Sequence, residues 1–251
     1  MILIIAGATC REAVRSKAFV GLLVFFVVGT LLARVVGWVS ATNGDEVTTN
    51  LVLSLHSVVG VLVAVATGTA LVHTEVKQRT LYTVLSRPLA RWRFVVGKYL
   101  GLAAALAIGQ VAMLAIGLLW LWLTGAPVHG WLILAGMFTT VEVLLMAAAA
   151  LCWTALSSPL LAAALGLATY ALGHAVAALP GLMYHLEGWQ RTVATALAAL
   201  VPNLGEFAYR NEAVHRLAVP LATVAERLAY GGLWIVLLVT VTVAVYRRKQ
   251  L

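Results

Sequence analysis

Apolar stretches of about 20 residues, the length that crosses a bilayer, divide this chain and leave few folds open to it. Six stretches qualify, at about 18–39, 51–72, 95–123, 131–156, 159–182 and 229–246. The chain is 63% hydrophobic and only 10% charged, whereas soluble domains run about 45–50% apolar and about 25% charged. Hydrocarbon offers no partner to backbone N–H and C=O groups, so spans of this kind satisfy them internally as helices. The expectation is an all-α polytopic membrane protein: one transmembrane domain over residues 1–251, with six transmembrane helices and short external helices between spans five and six.

Residues 1–17 mix apolar Ile4, Ile5, Ala8, Ala13 and Val14 with Arg11, Glu12, Arg15 and Lys17, a pattern that predicts an interfacial amphipathic helix leading into the first span. The opening MILIIAGA precedes the positive residues, the reverse of a cleavable signal, so the first span is expected to be the anchor. Twelve of the seventeen Lys and Arg residues fall at the amino end, in the 73–98 region or at Arg247, Arg248 and Lys249, all on one side of a six-span arrangement. By the bias of positive residues toward the cytoplasm, both termini should be cytoplasmic, in a bacterial-type inner membrane. The net charge of +8 is then explained by lipid head groups and orientation rather than by nucleic acid.

Ser157, Ser158 and Pro159 predict a break between spans four and five, since one kinked helix there would place the basic carboxyl end outside. The long 183–228 connection is moderately polar. Its helical spacing of Val193, Ala196, Leu197 and Leu200 predicts short helices on or in the outer leaflet, punctuated by Pro180, Pro202 and Pro220.

Polar groups at membrane depth are costly, roughly 2.5–3.5 kcal/mol for a charge, which singles out Glu142 in the fourth span. It is expected to be either a substrate-pathway or proton-linked carboxylate, or a structural one paired with groups such as Gln110 or His174. His174 and His56 read as hydrogen-bonding bridges rather than metal ligands, and Arg34 as a residue that snorkels to the interface. Gly21, Gly29 and Gly37, and likewise Gly101, Gly109 and Gly117, recur every eight residues, a spacing that predicts one close-packing face on each helix, with a dimer contact as one use. Cys10 and Cys152 have neither disulfide nor metal-ligand spacing. No metal site is expected, and Ser157 and Ser158 have no sequence-evident His or Asp arrangement, so no catalytic residue is expected either.

Four segments carry a resemblance: CREAVRSKAF at 10–19; Glu75, Thr80, Leu81, Leu85, Pro88, Arg91, Gly97 and Lys98 around the basic 75–98 region; Gly173 and His174; and Pro202, Asn203, Leu204 and Phe207. Together they resemble the permease subunit of type 2 ABC exporters (the ABC-2 family), with Arg79 standing where many members have Gly. The resemblance implies an ATP-driven exporter and a cytoplasmic coupling segment over 73–93. In that segment Thr80, Leu81, Val84 and Leu85 enter a groove of the ATPase, Glu75, Lys77, Arg79 and Arg87 set orientation or the turn, and Pro88 ends the helix. An amphipathic linker lying on anionic lipid is the alternative for this segment.

No G-x-x-x-x-G-K-[ST] loop is present, because Gly97-Lys98 is followed by Tyr99. The resemblance therefore implies no cofactor on this chain, with ATP and Mg bound by two copies of a separate ATPase subunit. It also implies a second permease copy or paralogue, and accessory periplasmic or membrane subunits remain open as further partners. Glu142, His174 and Gln110 are the candidate substrate-pathway residues. A proton-coupled carrier, an assembly scaffold and an intramembrane enzyme stand as alternatives.

Overall fold

The computed structural model describes residues 1–40, 43–77, 91–182 and 188–248. Every regular element among them is helical: α1 (Ile2–Val14), α2 (Lys17–Val39), α3 (Gly44–Lys77), α4 (Arg91–Leu123), α5 (Gly130–Leu156), α6 (Pro159–Leu182), α7 (Trp189–Leu200), a 3-10 turn (Leu204–Phe207), α8 (Arg210–Val214) and α9 (Leu221–Arg248). Six of these, α2 to α6 and α9, are long and apolar enough to cross a membrane.

Local chemistry sets the boundaries. Ser16 caps α2 by accepting from the Phe19 N–H at 3.2 Å. Ser157 leaves helical geometry with an extended backbone, as a residue near an upcoming proline is pushed to do, and Pro159 opens α6 at the first helical position. The break at 157–158 therefore separates two helices, and the Trp153 indole N–H donates across it to Thr169 Oγ1 at 3.0 Å. At the end of α4, Gly125 takes φ +79°, a left-handed conformation that releases the chain into the 126–129 turn.

Two helices form the centre. In α3 and α5, 67% of the most apolar window is buried within the protein, against 11% in α9. Around them exposed Leu, Val and Phe side chains cover α2, α6 and α9, among them Leu160, Leu221 and Leu233. An apolar surface this continuous is tolerated where lipid or another protein covers it.

The glycine pattern resolves differently from its sequence reading. Eight residues at 3.6 per turn advance a helix by about 80° beyond two full turns, so an eight-residue repeat rotates around the axis instead of staying on one face. On α4, Gly101 accordingly faces Ala6 and Thr9 of α1, Gly109 faces Phe19 of α2, and Gly117 faces Val52 of α3. On α2, Gly29 lies on Leu55 of α3 and Gly37 on the Gly44 backbone, while Gly21 has no neighbour within 4 Å. These close approaches are within one chain.

Arg34 also departs from expectation. Its guanidinium is 2.5 Å from Asp45 Oδ1 and donates to the Thr124 carbonyl at 3.0 Å, stapling α2, the start of α3 and the end of α4 together. A side chain only 18% exposed is a structural tie rather than a free interfacial group.

A methyl group at residue 101 has no room against α1, whereas one at residue 21 meets open space. Gly101→Ala is expected to destabilise the detergent-solubilised protein by about 1–3 kcal/mol despite alanine's higher helix propensity. Gly21→Ala is expected to be neutral or stabilising by up to about 1 kcal/mol. Thermal unfolding of the two variants side by side measures this opposite response.

Candidate functional site

Glu142 is the thirteenth of the 27 residues of α5 and is 1% exposed. Two neighbouring helices converge on it. His174 of α6 brings Nε2 to 2.8 Å from Oε1. Ser57 of α3 donates its hydroxyl to Oε2 at 3.2 Å. Tyr170, one turn before His174, lies 3.3 Å from the same Ser57 hydroxyl and presents its ring edge-on to the imidazole, with centroids 4.7 Å apart. Both carboxylate oxygens are thus engaged, which is how a buried carboxylate is made tolerable.

A second polar layer sits one turn along α3. Asn50, Ser54 and Ser57 recur at i, i+4 and i+7, on one face of the helix. Ser54 is 3.4 Å from Asn50 Oδ1 and accepts from Arg210 Nη1 at 2.7 Å. Arg210 belongs to α8, so the connection between α7 and α9 is folded into the bundle at this end.

The seat of that connection is apolar and tight. Leu204 and Phe207 are fully buried, Leu204 lying on the bare Cα of Gly173 in α6 and Phe207 on that of Gly231 in α9. Tyr209 stacks on Phe138 of α5 at 4.7 Å. The Asn203 N–H donates to the Tyr230 hydroxyl at 2.8 Å, and Asn203 Oδ1 accepts from the Gly205 N–H at 3.1 Å. Arg227 is 3.1 Å from Glu206 Oε2 and lies over the Tyr209 ring at 4.9 Å. Burial pushes the Tyr209 phenol above its ordinary value, Arg227 opposing and Glu212 adding to the rise, so it stays neutral and keeps its proton.

Of the three expected pathway residues, the fold brings two together. Glu142 and His174 meet directly. Gln110 does not join them: its amide, on α4, lies against the bare backbone of Gly60, and neither amide atom has an aligned hydrogen-bond partner. His56, expected to bridge, lies within reach of the Gln110 side chain, though not in aligned hydrogen-bond geometry, and meets Phe26 edge-on at 6.2 Å. The reason is geometric, because Ser57 and His56 point to different sides of α3 and the carboxylate lies on the Ser57 side.

Glu75 and Lys77 belong to the last turns of α3, and Arg79, Thr80, Leu81, Val84, Leu85, Arg87 and Pro88 lie outside the described residues. Ser57, Ser54, Tyr170 and Arg210 were not singled out from sequence. The polar stripe along α3 and the i, i+4 spacing of Tyr170 and His174 were the signals that could have found them.

The cluster ties α3, α5 and α6 together through hydrogen bonds to one carboxylate. Among the described residues no three metal-ligating side chains gather. Six apolar helices around a hydrogen-bonded carboxylate, with most of the outer helical surface left apolar, define a multi-pass helical membrane protein.

The chain belongs to the ABC-2 family of transporter proteins, whose family model matches residues 3–251. No curated protein matches it closely. Membership makes it a membrane component of the transporter, of the kind that is generally not itself an enzyme.

The pairing can be measured. Glu142→Gln, His174→Gln and the double substitution form a cycle in which thermal unfolding is expected to show a coupling of roughly 0.5–3 kcal/mol. Strict additivity in the cycle removes the pair as a stabilising contact.

Proposed function

We propose that this chain is the permease subunit of an ATP-driven exporter in a bacterial-type inner membrane, working with a second permease copy and two copies of a separate ATPase subunit. The single observation that carries the reading is family membership over 3–251, because ABC-2 permeases in general work with an ABC ATPase. The absence of a phosphate-binding Gly-Lys-Ser/Thr loop in this sequence agrees with that division of labour.

Residues 73–93 are the docking segment for the ATPase, with Leu81 and Leu85 as apolar anchors, Thr80 and Val84 on the same face, Glu75, Lys77, Arg79 and Arg87 around them, and Pro88 ending the helix. ATP and Mg bind to the partner. The basic residues of α1, of the 73–98 region and of the end of α9 face the cytoplasm, so α1 lies as an elbow at the inner interface and α7, the 3-10 turn and α8 lie at the external side. Exposed Val193 and Leu200 on α7 suit the outer leaflet.

Force delivered at the α3–α4 connection reaches the centre directly, because α3 carries Ser57 and packs against α5. Glu142 and His174 line the route by which that movement opens a pathway.

Affinity purification of the full chain from its native membrane is expected to bring an ATP-hydrolysing subunit with it. Leu81→Ala with Leu85→Ala is expected to cut that recovery by at least about tenfold, as loss of two buried anchors does at helix-in-groove contacts. Undiminished recovery assigns the segment to lipid, and absence of any ATPase overturns the exporter reading.

A further inference from the structure

We propose that the cleft between the 3-10 turn and the first turns of α9 is a binding site for a primary ammonium group of the ethanolamine type, carried by a small soluble amine or by a phospholipid head group. The exporter reading supplies only the side of the membrane on which the cleft opens.

The cleft has a volume of about 460 Å³, within the range of about 300–1,000 Å³ usual for small-molecule sites. It is lined by Asn203, which caps the turn, Glu206 within the turn, and Thr223, Glu226, Arg227 and Tyr230 of α9. The four α9 residues recur at i, i+3, i+4 and i+7 and so share one face of the helix. Polar residues at the end of a spanning helix ordinarily face water alone. Here they meet a second segment across a common cavity, and bonds between the two fix their orientation. Arg227 Nε lies 3.1 Å from Glu206 Oε2, and the Asn203 N–H donates to the Tyr230 hydroxyl at 2.8 Å. Asn203 Nδ2 also donates to Glu206 Oε1 at 3.2 Å.

Charge selects the occupant. Glu206 and Arg227 neutralise each other, and the Arg227 guanidinium is held over the Tyr209 ring at 4.9 Å. Exposed Glu226 makes no hydrogen bond or ion pair among the described residues, so the cleft keeps one unmatched negative charge. The Glu226 carboxylate, the Thr223 hydroxyl and the remaining lone pairs of Glu206 are acceptors, which suits a group with several donors. A primary ammonium has three N–H donors, as in a lysine side chain, whereas a quaternary one has none. The Tyr230 hydroxyl already accepts from Asn203 and keeps its own proton to donate to an oxygen beside the ammonium, as an ethanolamine group carries. A ligand so held bridges the turn and α9 next to the Phe207 seat on Gly231, and therefore stabilises the folded connection.

The test is thermal unfolding of the full chain, purified in detergent, at constant pH and ionic strength. Ethanolamine is expected to raise the unfolding midpoint with increasing concentration, and choline at the same concentrations to leave it unchanged. Glu226→Gln removes an exposed carboxylate that holds nothing in the fold, so the unliganded variant is expected to unfold as the wild type does. Its half-maximal ethanolamine concentration is expected to rise by at least about tenfold, as loss of a charge-assisted hydrogen bond does. Thr223→Ala is expected to raise it by about threefold and serves as a second variant should Glu226→Gln fold poorly.

Nanodiscs of phosphatidylethanolamine and of phosphatidylcholine then assign the source. A midpoint raised by phosphatidylethanolamine in the wild type but not in Glu226→Gln supports a head-group site, and a response to free ethanolamine alone supports a soluble amine. Equal responses to ethanolamine and choline, no response to ethanolamine in either form, or responses undiminished in both variants overturn the proposal. Recovery of the ATPase subunit tests the exporter reading separately, so the two can fail independently.

Discussion

One carboxylate in the middle of an apolar helix bundle constrains everything packed around it. Glu142 sits halfway along α5 with almost no exposure, and an unpaired charge there would be strongly unfavourable. Its two oxygens therefore require donors from neighbouring helices, and the donors come from α3 and α6. These bonds set the rotation of three helices about their axes. Most of the contacts around them are between Ala, Val, Leu and Gly, which distinguish one rotation from another less sharply than a hydrogen-bonded carboxylate does.

Close backbone approach is the second organising element. Bare Cα atoms at Gly101, Gly173 and Gly231 receive α1, Leu204 and Phe207 respectively, so two non-spanning segments are seated against spanning helices at opposite ends of the chain. The seat at Gly173 lies beside His174. The polar contact that positions α6 and the apolar contact that positions the 3-10 turn are thus made at consecutive residues, which gives the turn and the buried pair one shared support.

Much of the architecture was legible in composition alone. Hydropathy and length located the six long helices, and Ser157-Ser158-Pro159 marked the α5–α6 break, because backbone satisfaction in hydrocarbon and proline sterics are local effects. The pairing of Glu142 with His174 was one of two partners expected from burial cost. Gln110 was the other, and it lies elsewhere since depth along a helix does not report which way a side chain faces. The glycine repeats misled for a related reason: a period of eight leaves a residual rotation that only the surrounding helices reveal.

Sequence by itself determined that this protein is a helical member of the ABC-2 family with six helices long and apolar enough to cross a membrane, since apolar length and the family's residues are properties of the chain read in order. Tertiary structure alone decided which polar groups meet. Ser57, Tyr170 and Arg210 are separated in the chain by many tens of residues from one another or from Glu142, and they converge because helix packing fixes rotation and register. Those two variables leave no trace in one helix considered alone, as each is a relation between surfaces.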